Sequence, residues 1–251
     1  MSDTPKSPSA RRRFIANLVG GTAVLAAGGV AARELLAQGG GLPTYPPPQG
    51  GWDLSWADRL EKARHKCVFD CAEVGDGLAL TNAQVYMAGF KDVYNTPDSD
   101  LGVVVVIRHR AIQMVLNDSV WERWKVGEQL NIKDAAGIAS IRNTFAGRAP
   151  ASGEASGEAS GEASGGRGRG PGGGAGGGSM LGLMSRGVTV LCCNLALMRS
   201  AGQFATAMNM PVDEARKLFI DSLVPGVIRQ TNGIFAVTRA QEAGAQMIKS
   251  T

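Results

Sequence analysis

The chain has 251 residues, 44% of them hydrophobic and 19% charged, and a formal net charge of +4. Five cations (Lys6, Arg11, Arg12, Arg13, Arg33) and two acids (Asp3, Glu34) fall within residues 1–38, so the rest of the chain carries only about +1. That near-neutral body lacks the clustered Lys and Arg needed to displace counterions from phosphates, so it is not read as a nucleic-acid binder.

The first segment has the order of an export signal. Ala10-Arg11-Arg12-Arg13-Phe14-Ile15 places paired guanidinium groups before Phe and a branched apolar residue, which is the arrangement of a twin-arginine address. From Ile15 to Ala32 the chain is uncharged and holds four glycines, which weaken a membrane-spanning helix. Val30-Ala31-Ala32 and Leu35-Leu36-Ala37 both supply the small residues of a cleavage site. Residues 1–38 are therefore expected to be a signal for export to the periplasm, with membrane contact only through this segment if it stays uncleaved.

Residues 39–51, with Pro46-Pro47-Pro48, read as an extended tether, and the folded domain is expected over 52–251. Trp52, Trp56 and Leu60 recur at helical spacing and predict a short amphipathic helix. His65–Asp70 reads as the first strand and Leu78–Tyr94 as a helix ended by Asn95-Thr96-Pro97. Leu101–Ile107 contains Val103-Val104-Val105-Val106, a β-branched run without alternation that predicts a strand buried on both faces. A short helix follows at Ala111–Leu116; the pattern assigns nothing to the segment with Trp121 and Trp124.

Residues 147–179 contain Ala-Ser-Gly-Glu three times and then Gly-rich sequence, a composition too polar to offset its ordering entropy, so a disordered insertion is expected there. Beyond it the pattern predicts a helix at Leu181–Ser185, a strand at Val188–Cys192, a helix at Leu195–Met208 and another opened by Pro211. A strand at Leu223–Arg229, a helix at Ile234–Ala243 closed by Gly244, and an edge strand at Ala245–Lys249 complete the chain. Strands alternating with helices predict a single α/β domain with a mainly parallel, about five-stranded sheet and helices on both faces.

Three stretches resemble the DsrE/DsrF-like family. Val104-Val105-Val106-Ile107-Arg108-His109-Arg110-Ala111-Ile112 is similar to its second strand and following turn, although the family often has Gly where Arg110 stands. Gly187-Val188-Thr189-Val190-Leu191-Cys192-Cys193-Asn194-Leu195 resembles its strand–Cys–Asn–helix element. Val224-Pro225-Gly226-Val227 and Arg239-Ala240-Gln241-Glu242-Ala243-Gly244 resemble its closing pattern. The resemblance implies a homo-oligomer, a trimer or hexamer, and a cysteine that carries sulfane sulfur between a donor and an acceptor protein. It selects Cys192 as that cysteine. The family's relay members are cytoplasmic, and the insertion falls just before the cysteine element, so fold is inherited more safely than activity.

In open parallel sheets ligands bind beyond the carboxyl ends of the strands. Those ends would gather Asp70, Cys71, Arg108, His109, Cys192, Cys193 and Asn194 on one rim, with Thr231 and Asn232 at the fourth strand. The sharp reading makes Cys192 a nucleophile, its thiol pKa lowered by a helix N-terminus and by Arg108 and His109; the plain reading makes it a buried apolar residue. For Cys193 and Cys67 the plain reading is preferred. A disulfide from Cys71 to Cys192 or Cys193 is open if the first and third strands are neighbours. The spacings Cys-x-x-x-Cys and Cys-Cys are not those of structural zinc, and no cofactor motif is present. The two functions carried forward are a sulfur carrier and a non-catalytic ligand-binding or assembly module.

Overall fold

A computed structural model describes residues 43–134, 136–147 and 178–250. The expected signal at 1–38, the start of the tether and most of the expected insertion lie outside these residues. The unit that begins at Tyr45 holds every element named below.

The elements follow the predicted alternation. Helix α1 (Ser55–Lys62) precedes strand β1 (His65–Cys71), helix α2 (Leu78–Tyr94) and strand β2 (Leu101–Ile107). A 3-10 segment (His109–Val115) leads to the short helices α3 (Asp118–Arg123) and α4 (Val126–Gln129). After the insertion come α5 (Met180–Ser185), β3 (Thr189–Cys193), α6 (Asn194–Met208), α7 (Val212–Asp221), β4 (Ile228–Gln230), α8 (Gly233–Glu242) and β5 (Gln246–Lys249). All four strand pairings are parallel, in the order β4-β3-β2-β1-β5. The expected α/β domain, parallel sheet and two helical layers are all present.

Strand order dictates how the faces are covered. From β1 to β4 each strand lies beside its predecessor in one direction, so right-handed crossovers put every intervening helix on the same face. Cys67, Phe69, Cys71, Val103, Val105, Ile107, Val190 and Cys192 point into this thick layer, with Met87 of α2, Phe204 of α6 and Phe219 of α7. The last crossover runs back across the sheet to β5, which sends α8 to the opposite face. That thin layer joins Val68, Val104, Val106 and Leu191 to Trp56 and Leu60 of α1 and Ala236, Val237 and Ala240 of α8. Gly102 lets α1 descend onto β2: a Cβ there would stand 2.7 Å from a Leu60 methyl carbon and 2.8 Å from the Ala63 Cβ.

One predicted element shortens and one unassigned segment takes form. The strand expected over Leu223–Arg229 forms only at Ile228–Gln230, because Pro225 has no N–H for a ladder and Gly226 turns the chain at φ 89°. Leu223 instead makes a single antiparallel bridge to Leu116. The unassigned tryptophan segment is helical and anchors the thick layer: Trp121 is fully buried, and Trp124 meets Phe204 and Phe219 with centroids 5.8 and 5.7 Å apart.

The ends of the insertion are ordered more closely than expected. Ser179 belongs to the fold, since its hydroxyl accepts the Gly182 N–H and caps α5. The Met180 and Leu181 N–H groups donate to the carbonyls of Phe145 and Ala146 at 2.9 and 3.0 Å, and Gly147 lies against Ser179. The chain therefore leaves and re-enters the domain at one point. Deleting residues 150–175 is expected to leave the thermal midpoint within about 2 °C of the parent's, because loop length contributes weakly to closure entropy; a fall of roughly 8 °C, about 2–4 kcal/mol for a domain of this size, would contradict this.

Candidate functional site

The carboxyl ends of four strands form one rim. Cys71 lies beside Ile107, Ile107 beside Cys192, and Cys192 beside Arg229 in the parallel register. Of the residues expected there, Cys71, Arg108, Cys192, Cys193 and Asn194 are brought together. His109 is not: it turns away at φ 52°, half exposed, with its Nδ1 3.6 Å from Glu73.

Strand parity gives the cysteines different surroundings. Cys192 points into the thick layer beneath α6 and is wholly inaccessible. Burial pushes its thiol pKa up, with a smaller opposing effect from Arg229. This is the reverse of the lowered thiol expected from the sequence; the helix cap falls one residue later than Cys192. Cys193 occupies it, its Sγ accepting the Ala196 N–H at 3.4 Å at the start of the 15-residue helix α6. At 6% exposure Cys193 is the least buried of the four thiols. Burial raises Cys71 to about 12 and Cys67 to about 11. All four cysteines are free. A bridge from Cys71 to Cys192 is excluded because β2 lies between their strands: two strand spacings place the backbones about 9.6 Å apart, beyond the roughly 7 Å reach of a disulfide.

Arg108 is fixed from two sides. Its guanidinium makes a two-pronged ion pair with Asp70, Nε to Oδ1 at 2.6 Å and Nη2 to Oδ2 at 2.8 Å. These bonds hold the guanidinium protonated against the opposing effect of burial, and Cys193 and Cys71 lie within its electrostatic reach. Its aliphatic stem crosses the first residue of α8, where a Cβ on Gly233 would be 2.6 Å from Arg108 Cδ. Gly233 is thus the residue that allows an arginine to lie over this helix end, while the Asn232 side chain caps the helix through the Phe235 N–H.

Across the rim Asn194, 2% exposed, accepts a hydrogen bond from Arg229 Nη1 at 3.1 Å. Arg229 and Gly233 were missed by sequence reasoning because the fourth strand was ended at Arg229 and its register was unknown. A signal was present: Asn232-Gly233 before Ile234-Phe235 is an N-cap pattern, which would have ended the strand at Gln230. Among the described residues no cluster of three His, Cys, Asp or Glu side chains is arranged to hold a metal ion, and no helix is long and apolar enough to cross a membrane.

No family model matches the chain, and no curated protein matches it. Among solved structures it is similar to a protein of unknown function from Methanobacterium thermoautotrophicum, with 14% identity over 74% of this chain and 98% of the other, and a TM-score of 0.34.

Two outcomes follow from this geometry. A neutral disulfide reagent applied to the native protein is expected to label Cys193 first, and Cys67, Cys71 and Cys192 only after denaturation; labelling of Cys192 at the same rate would contradict its burial. Asp70→Asn, which strands a mostly buried guanidinium, is expected to lower unfolding free energy in urea by about 2 kcal/mol.

Proposed function

We propose that this chain is an exported DsrE-like sulfur carrier, and that Cys193, in place of Cys192, is the thiol that accepts sulfane sulfur. The observation that carries this reading is the position of the Cys193 sulfur, at the N-cap of α6 and least buried of the four thiols. Cys192, by contrast, is held protonated inside the thick layer and lacks a path for a donor.

The transfer needs no added oxidant. The Cys193 thiolate attacks the outer sulfur of a donor persulfide, the donor S–S bond breaks, and the donor leaves as a thiolate. Cys193 keeps the sulfane sulfur as a persulfide, which a second thiolate removes by the same exchange. Arg108, already neutralised by Asp70, holds its place on the rim in both steps. The Arg11-Arg12-Arg13 signal supports export before the relay operates, and the family resemblance supports a trimer or hexamer exchanging sulfur with a donor or acceptor protein.

A second reading, a non-catalytic ligand-binding or assembly module of the same fold, is favoured by the low exposure of all four thiols. Exposure to glutathione persulfide followed by intact-mass measurement separates the two. The parent and Cys192→Ser are expected to gain one reductant-labile sulfur atom, and Cys193→Ser to gain none. Loading confined to Cys192 would return the role to that residue, and no loading on either would leave the binding module.

A further inference from the structure

We infer that the rim between the carboxyl ends of β3 and β4 binds one small oxyanion, anchored by the Arg229 guanidinium. The winding of the sheet parts the connections at this place. After β3 the chain enters α6 on the thick face, and after β4 it enters α8 on the thin face, so two adjacent strands send their connections apart. Such a point is where open parallel sheets hold their ligands.

The second observation is the state of Arg229. Five arginines among the described residues are half-buried: Arg108, Arg186, Arg216, Arg229 and Arg239. Four of them have a carboxylate partner, respectively Asp70, Asp98, Asp213 and Glu61, at 2.6 to 2.9 Å. Arg229 has none among the described residues. Its hydrogen bond goes to a neutral amide, the Asn194 Oδ1 at 3.1 Å. A guanidinium removed from water without a counter-charge is unfavourable, and burial accordingly lowers the Arg229 pKa, with Cys192 alone acting against it.

Charge and donors define what this place takes. Asp70 pairs with Arg108, whereas Arg229 has no carboxylate partner among the described residues. A guanidinium has five N–H donors in a planar fork, and one Nη1 donor is engaged by Asn194, so a pair remains for two oxygens of an anion. The N-terminal turn of α6, whose first residue is Asn194, adds favourable dipole on the same side. The chemistry is that of a carboxylate, sulfate or phosphate group. It does not require Cys193 to carry sulfur: the anchor reads charge, whereas the thiol reads a sulfane atom.

The test is a nuclear magnetic resonance titration of the whole protein with sodium acetate, sodium sulfate and inorganic phosphate at fixed ionic strength, with chloride as reference. Saturable shifts are expected at the Arg229 Nε–H and at the Asn194 and Ala196 amides. The anion with the tightest binding identifies the ligand group as carboxylate, sulfate or phosphate. Arg229→Gln is expected to weaken binding about tenfold or more, whereas Cys193→Ser should retain it, so a failed sulfur reading and a failed anion reading give different results. Linear, chloride-like shifts for all three anions would overturn the inference, as would saturable binding that persists in Arg229→Gln. Should that variant not fold, the parent decides: saturation elsewhere with no response at Arg229 is equally contrary.

Discussion

Two parallel neighbours in a sheet can be joined only by a crossover, and for L-amino acids that crossover is right-handed. This handedness governs most of the molecule. Three successive steps from β1 to β4 in one direction load α2, the tryptophan helices, α5, α6 and α7 onto one face. The single step back to β5 leaves α8 and the leading helix α1 to cover the other. The unequal layers explain why Phe204, Phe219, Trp121 and Trp124 all belong to one side, and why the thin side relies on alanines at Ala236 and Ala240 and on the close seat of α1 over Gly102. The reversal also separates the loops after β3 and β4, and the candidate site lies where they part.

The chemistry of that site follows from how each group meets the loss of water. Thiols that enter the thick layer stay neutral, because a thiolate there would be desolvated without a partner. Guanidinium groups cannot become neutral, so they recruit carboxylates: Asp70 for Arg108, Asp98 for Arg186, Glu61 for Arg239. Arg229 stands apart because its strand neighbours are a thiol and a buried amide. Cys193, the last residue of β3, keeps 6% exposure where Cys192 has none, and its sulfur caps α6. Both cysteines belong to the thick-layer cluster, and they differ in that Cys193 sits at the helix start with its sulfur on an amide.

Local chemistry determined much of this fold in advance. The unbroken run Val103-Val104-Val105-Val106 can be stable only inside a sheet covered on both faces, and β2 is its central strand with the predicted limits Leu101–Ile107. Helix α2 has its predicted ends because Asn95 tolerates the left-handed turn that closes it, at φ 51°, just before Pro97. Clustering of Cys71, Arg108, Cys192, Cys193 and Asn194 was also legible, since parallel strands must present their carboxyl ends together. What local pattern could not supply was the order of the strands. Without it the distance from Cys71 to Cys192, the partner of Arg108 and the place of Arg229 beside Cys192 were all undetermined.

The two cysteines mark the boundary between the kinds of information. Both belong to the thick-layer cluster, which local pattern does not reveal. That Cys192 is fully shielded while Cys193 keeps slight exposure at the start of α6 depends on the hand of the crossovers and on where α6 begins, both settled by residues far away in the chain. The sequence by itself thus determined the elements, the sheet and the rim, because periodicity, turn chemistry and handedness act over short stretches. Tertiary structure alone decided which thiol is shielded, which arginine lacks a counter-charge and which face is thin, because burial and electrostatic pairing are sums over neighbours that only the folded chain brings together.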